Sequence, residues 1–315
     1  MSGQQRLSRR RLLAGGGAVV GAGALAAGAT ALAGAFGTPA PIPQRVPAAP
    51  RPPRAPDAVS TVEWETSGAR NRSVRLVITS PAGVDRTTLP VAVGLHGLGG
   101  NALWWGDPGM RRALGTAWAS GVPRFAVAAL DGGDNYWHPF RLGDDPMRML
   151  LDELPVWLGE RGMARDTAGV PVLASGVSMG GAGALMYARA RAQRQAPVKA
   201  VAAMSPGLFL DWAVAVRRPF AGPADWAAND PLRFYPELAG TPTGMWCGDR
   251  DAFAPAVRRY VELARPQYSR ISPGGHTGSY YATILPQVIA FLGQHVAPTT
   301  LPFGPASSSR TYPHL

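Results

Sequence analysis

The stretch VPVLASGVSMGGAGALMYARARAQ, residues 170–193, decides how this chain is read. Its first part, VPVLASGVS, is a short apolar run bounded by proline and glycine, the composition of a strand buried on both faces. From Gly181 to Arg194 apolar residues recur at spacings of three and four, the period of a helix with one buried face. Between the two sits Gly176-Val177-Ser178-Met179-Gly180. At a sharp strand-to-helix turn a serine hydroxyl is thrust outward, and glycine two residues before and two after relieves the crowding there. With 39 Gly in 315 residues the pentapeptide alone arises easily by chance; its place at such a junction is what gives it weight.

Working outward from that junction, further apolar runs alternate with amphipathic segments. The runs are SVRLVIT (73–79), PVAVGLHG (90–97), FAVAALDG (125–132), VKAVAAMSP (198–206) and TGMWCGD (243–249). Segments 145–161, 254–264 and 281–295 carry the helical period. The alternation predicts an α/β fold, a mostly parallel central sheet with helices on both faces. No internal repeat interrupts it, so one domain is expected over residues 60–297.

An elbow serine needs a base, and the base needs an orienting acid. In such a sheet both are expected downstream of the serine, in the order acid then histidine. Of the five histidines, His276 in ISPGGHTGSYY is the one that follows a plausible acid and lies on a loop; His96 and His138 precede Ser178, His295 closes a helix and His314 is in the tail. The loop WCGDRDAF offers two acids, with Asp251 favoured and Asp249 the alternative. Two backbone N–H groups are needed for a developing oxyanion, and Met179 with Leu98 of HGLGG are the candidates. His96 reads as a structural loop residue. Trp104, Trp105, Tyr136 and Trp137 follow strand ends and are expected to form part of the wall facing the acyl or sugar group. The segment PADWAANDPLRFYPEL (223–238) is expected to form a small lid.

HGLGG, GVSMGGAGAL, DGGDNYWHP, WCGDRDAF and the GGH loop before a tyrosine-rich helix, in that order, resemble the secreted serine esterases of the α/β-hydrolase fold, in the esterase D branch that includes mycolyltransferases. The resemblance covers residues 60–297. It implies Ser178, Asp251 and His276 as a catalytic triad, Leu98 and Met179 as oxyanion donors, and hydrolysis of a carboxylic ester through an acyl-enzyme with no cofactor and no metal. Mycolyltransferases usually carry Asp-Gly-Leu where this chain has His96-Gly97-Leu98, a departure that favours hydrolysis over the alternative of acyl transfer to a sugar or cell-wall acceptor. A non-catalytic binding domain on the same fold is a second alternative. A histidine base makes turnover fall on the acid side of neutrality.

The bulk composition bounds these readings. A hydrophobic content of 46% is that of a globular chain with a sizeable core. The net charge of +11 is concentrated: the first 54 residues hold seven arginines and no acidic side chain. The remainder has neither a basic run nor a nucleic-acid-binding motif, so nucleic acid is not expected as a partner. The single cysteine, Cys247, has no internal partner for a disulfide.

The N-terminal 36 residues read as an export signal, with Ser8-Arg9-Arg10 followed by Leu12 and Leu13 in the twin-arginine pattern and a Gly/Ala-rich uncharged run behind it. The twin-arginine export machinery is therefore an expected partner, and the destination is extracellular or cell-surface. Ala31-Leu32-Ala33 and Thr38-Pro39-Ala40 are both suitable cleavage sites, and a retained membrane anchor is the alternative. Residues 37–59, with their prolines, read as an extended linker, and residues 298–315 as a loose tail. The expected substrate is a small-molecule or cell-envelope ester.

Overall fold

The computed structural model describes residues 58–296; the twin-arginine pattern, the linker up to residue 57 and the C-terminal tail lie outside the described residues. Eight strands make one sheet: β1 (Val59–Ser67), β2 (Arg72–Ser80), β3 (Val91–Leu95), β4 (Ala126–Leu130), β5 (Leu173–Val177), β6 (Ala200–Met204), β7 (Thr243–Gly248) and β8 (Tyr268–Ser272). Their spatial order is β1-β2-β4-β3-β5-β6-β7-β8. The first two contacts, β1 with β2 and β2 with β4, are antiparallel, and every other contact is parallel.

The six apolar runs are the six inner strands, because a strand covered on both faces must be apolar throughout. The two strands that sequence reading missed are the two edges. β1 (VSTVEWETS) places charged residues between apolar ones, and β8 (YSRIS) is mostly exposed, so neither makes an apolar run.

Five longer helices cover the sheet: α1 (Pro108–Ala119), α2 (146–160, with a π-helical turn over Met149–Glu153), α3 (Met179–Gln193), α4 (Ala254–Ala264) and α5 (Gly278–Gln294). α1 was also not anticipated. Its buried face is Met110, Leu114 and Trp118, one residue per turn, and Asp107 caps it by accepting from Met110 N–H. Helices α1 and α5 pack with Ala92, Val127 and Ala202 on one face of the sheet. Helices α2, α3 and α4 pack with Val93, Ala128 and Val201 on the other.

Alternate side chains of each inner strand thus feed opposite cores, which makes a three-layer α/β/α molecule. All the parallel strands end at one edge, and the loops leaving β3, β4, β5, β7 and β8 there carry the residues singled out from the sequence.

Candidate active site

Ser178 sits on the turn between β5 and α3 with φ +57° and ψ −121°, backbone that an L-residue adopts only under constraint. Four hydrogen bonds supply the constraint. Ser178 N–H donates to Met204 O at 2.9 Å, and Ser178 O accepts from Gly181, Ala182 and Gly207 N–H at 2.9, 3.2 and 2.8 Å. The flanking glycines are required by close approach. A Cβ on Gly176 would lie 2.0 Å from Gly180 O, and one on Gly180 would lie 2.2 Å from Leu95 O. The start of α3 therefore rests directly on the end of β3, and the serine hydroxyl has nowhere to point but outward.

His276 reaches that hydroxyl from the far side of the sheet. Its Nε2 lies 2.8 Å from Ser178 Oγ, and its Nδ1 lies 2.7 Å from Asp251 Oδ2. Asp251 has no exposed side-chain surface, and its Oδ1 accepts from Phe253 N–H at 2.9 Å. Burial alone would raise the Asp251 carboxyl; the hydrogen bonds from His276 and Phe253 N–H outweigh it, so the carboxyl lies below its ordinary range and stays charged. An ionised acceptor makes Nδ1 the protonated nitrogen and leaves the Nε2 lone pair facing the serine O–H.

Asp249 does a different job. It accepts from Gly274 N–H at 3.0 Å, while its own N–H donates to Ser272 O, and Arg250 N–H donates to Gly274 O. These three bonds tie the acid loop to the His276 loop. The ring of His276 is further bracketed by Phe253 and Tyr281, both edge-on, with centroids at 5.2 and 5.7 Å.

On the opposite side of Ser178, the Gly97–Leu98 peptide is oriented by His96. Gly132 N–H donates to His96 Nε2 at 2.9 Å, which requires the proton on Nδ1, and Nδ1–H donates to Gly97 O at 2.8 Å. Gly97 O also accepts from Gly100 N–H at 3.0 Å. In a trans peptide the N–H points opposite to the C=O, so Leu98 N–H is turned away from both donors. Gly97 lies against the serine, since a Cβ there would meet Ser178 Cβ at 3.2 Å. Among the described residues neither Leu98 N–H nor Met179 N–H has an acceptor, which leaves both available to an oxygen on the substrate.

The DGGD segment after β4 is the brace of this loop, a role that sequence reading missed. Asp131 accepts from Ala102 N–H at 2.9 Å, Asp134 accepts from Gly99 N–H, and Trp137 Nε1–H donates to His96 O at 3.3 Å. The spacing of two acids around Gly-Gly was the available signal, but the partners lie 29 and 35 residues away in the chain, beyond the reach of local pattern.

The aromatic wall needs correction. Trp137 has no exposed surface and fills the space that Gly132 and Gly183 leave, and Trp105 is buried against Gly94, so both belong to the core and neither can line a cleft. Tyr136 is nearly buried, its hydroxyl close to Gly207 beside Met179 N–H, and it packs on Phe209 and Phe220. Trp104 is half-buried and borders a groove. Segment 223–238 forms two short helices and a 3-10 turn fastened to α3. Glu237 pairs with Arg189 at 3.0 Å and accepts from Gln193 at 2.8 Å, and Arg189 also lies over the Phe234 ring.

The model of the Esterase family, described as "Putative esterase", matches residues 67–247. The chain belongs to the esterase family. The match includes Ser178 and the His96 loop, while Asp251 and His276 lie beyond it. No curated protein sequence gives a match.

Among solved structures this esterase is similar to a ferulic acid esterase, with 18% identity and a TM-score of 0.62 over 76% of this chain and 99% of that one. It is also similar to an S-formylglutathione hydrolase from Agrobacterium tumefaciens, at 16% identity and TM-score 0.60 over 76% and 96% of the two chains. A fluorophosphonate-binding serine hydrolase of Staphylococcus aureus aligns at 13% and 0.59 over 75% and 99%. At these identities the likeness is one of fold, that of the α/β hydrolases.

Proposed function

We propose that this esterase is an exported serine hydrolase that cleaves carboxylic esters through an acyl-enzyme on Ser178. The observation that carries the reading is the unbroken chain Asp251–His276–Ser178, at 2.7 and 2.8 Å, on the end of a buried strand. Ser178 Oγ attacks the ester carbonyl carbon while its proton passes to His276 Nε2; the carbonyl π bond breaks and its electrons collect on oxygen, facing Leu98 and Met179 N–H. The carbon–alkoxide bond then breaks, the alkoxide takes the proton from His276, and the acyl group remains on Ser178. Water, deprotonated by the same nitrogen, releases the acid and restores the serine. Asp251 keeps its charge throughout and stabilises the imidazolium.

The ordered motifs support a place in the esterase D branch, and His96-Gly97-Leu98 in place of the Asp-Gly-Leu usual in mycolyltransferases favours water as the acyl acceptor. Ser8-Arg9-Arg10 supports the twin-arginine route. The test is rapid-quench kinetics with p-nitrophenyl acetate. A burst equal to the enzyme concentration, with a mass increase of one acetyl on the peptide carrying Ser178, is expected. A Ser178→Ala variant that hydrolyses the ester as fast as the wild type would overturn the reading. Export is tested by replacing Arg9 and Arg10 with Lys, which is expected to leave the protein inside the cell.

A further inference from the structure

The loop after β4 holds two consecutive left-handed residues that are not glycine, Tyr136 at φ +54° and Trp137 at φ +61°. Such backbone is sparsely populated and persists only where its surroundings impose it. Here the anchor is Trp137. Its ring fills the space left by Gly132 and Gly183, its Nε1–H donates to His96 O at 3.3 Å, and His138 N–H closes the turn onto Asn135 O at 3.2 Å. With Trp137 held, the Tyr136 ring crosses to the loop after β6 and packs on Phe209 and Phe220 at centroid distances of 5.7 and 5.3 Å. Gly207 of that loop marks where the hydroxyl ends. A Cβ on Gly207 would lie 3.1 Å from Tyr136 Oη and 3.4 Å from Met179 N, so the hydroxyl and the amide border one small space, which glycine keeps clear. Gly207 is itself fastened to the elbow by its N–H, which donates to Ser178 O at 2.8 Å. Among the described residues neither Tyr136 Oη nor Met179 N–H has a hydrogen-bond partner. The aromatic wall continues to the base: Phe209 packs on Phe253 at 5.7 Å, and Phe253 stands edge-on to His276 at 5.2 Å. One arc of rings therefore joins the Met179 amide to His276, the two groups that flank Ser178.

We infer that the Tyr136 hydroxyl is a third donor to the substrate oxyanion, beside the N–H groups of Met179 and Leu98. The inference rests on Ser178 forming the acyl-enzyme. As Ser178 Oγ bonds to the ester carbon, the carbonyl π pair moves onto oxygen, and Tyr136 donates a hydrogen bond to that oxygen while keeping its proton. When the π bond forms again and the alkoxide leaves, the hydrogen bond weakens and the tyrosine is unchanged. Burial pushes the Tyr136 hydroxyl up to about 12, with Arg218 pulling the other way, so the group holds its proton across the neutral range and serves as a donor. A donor with no competing partner, fixed by its backbone and by Trp137, needs no rearrangement when charge develops, which is what makes oxyanion stabilisation effective.

The test is Tyr136→Phe, which keeps the ring on Phe209 and Phe220 and removes one oxygen. With p-nitrophenyl acetate its kcat is expected to fall about a hundredfold, the usual cost of one oxyanion donor, with KM little changed and the melting temperature that of the wild type. Affinity for phenyl trifluoromethyl ketone, whose adduct with Ser178 carries an oxyanion in the same position, is expected to weaken by a similar factor, a readout that a merely structural hydroxyl would leave alone. A folded Tyr136→Phe with the wild-type kcat overturns the inference, as does a lowered kcat with undiminished affinity for the ketone. The wild type offers a check that needs no variant: in a crystal structure of its ketone adduct, Tyr136 Oη is expected about 2.7 Å from the hemiketal oxygen, and a separation beyond about 4 Å contradicts the assignment. Fluorophosphonate labelling of the wild type distinguishes the levels. A labelled Ser178 beside a fully active Tyr136→Phe removes the role of Tyr136 alone, and an unlabelled Ser178 removes the reading beneath it as well.

Discussion

Two aspartates only two positions apart in the loop after β7 do unlike work, and they separate cleanly by mutation. Asp251 faces Nδ1 of His276 and is buried; Asp249 faces a backbone N–H of the neighbouring loop. Asp251→Asn is expected to lower kcat about 10³-fold or more with little change in the melting temperature, because an amide can no longer fix the tautomer or stabilise the imidazolium. Asp249→Ala is expected to cost roughly tenfold, through a looser His276 loop, with the pH profile unchanged. Steady-state kinetics of the two variants side by side checks both; equal losses would mean that the acid role is shared. The three residues that the structure joins by hydrogen bonds, Ser178, His276 and Asp251, were legible in the sequence because each stood at a strand end and in the right order. The aromatic wall was not: Trp105 and Trp137 sit at the same kind of position as Trp104, yet small neighbours (Gly94, Gly132 and Gly183) leave holes that draw their rings inward. A lone sequence does not reveal which hole a tryptophan will fill.

Among the elements, the junction of β3, β5 and α3 is the tightest. Gly180→Ala would drive a methyl into the Leu95 and His96 carbonyls, which belong to backbone and cannot swing away. It is expected to destabilise the fold by about 2 kcal/mol or more, read as a fall in the midpoint of urea unfolding. A second element-scale expectation concerns the short helix Pro231–Phe234. Its cap, Asp230, is buried, and burial pushes the carboxyl up to about 6 while the Leu232 N–H and Arg233 pull the other way. A carboxyl raised in the folded state costs stability as pH climbs from about 4 to about 6, because the folded chain gives up its proton later than the unfolded one. Asp230→Asn keeps an oxygen for the cap and removes the titration. Its melting temperature is expected to exceed the wild type's at pH 7.5 and to match it near pH 4; a gap that does not change with pH would contradict the burial argument. Inner strands could be read from sequence since burial on both faces imposes an apolar run, whereas β1 and β8 at the edges carry no such obligation. Helix α1 was hidden for a related reason, its apolar residues being spaced one per turn among arginines and glycines.

For the molecule as a whole, the parallel strands β3, β5, β7 and β8 direct four separate loops to one edge, and the site exists only where those loops meet. Long-range bonds hold the meeting point: Asp131 and Asp134 brace the loop after β3, Asp249 braces the His276 loop, and His96, neutral and buried, sets the Gly97–Leu98 peptide. Sequence order and motif spacing reached the identity of these loops but not the braces, which join residues far apart in the chain. The central claim is that Ser178 is a nucleophile activated by His276. Its most direct test is fluorophosphonate labelling of a protein beginning near residue 58, with the adduct located by mass spectrometry, beside Ser178→Ala and His276→Ala. The account predicts one label, on Ser178, lost in the first variant and slowed at least a hundredfold in the second. A folded wild type that takes no label, or takes it on another residue, would contradict it.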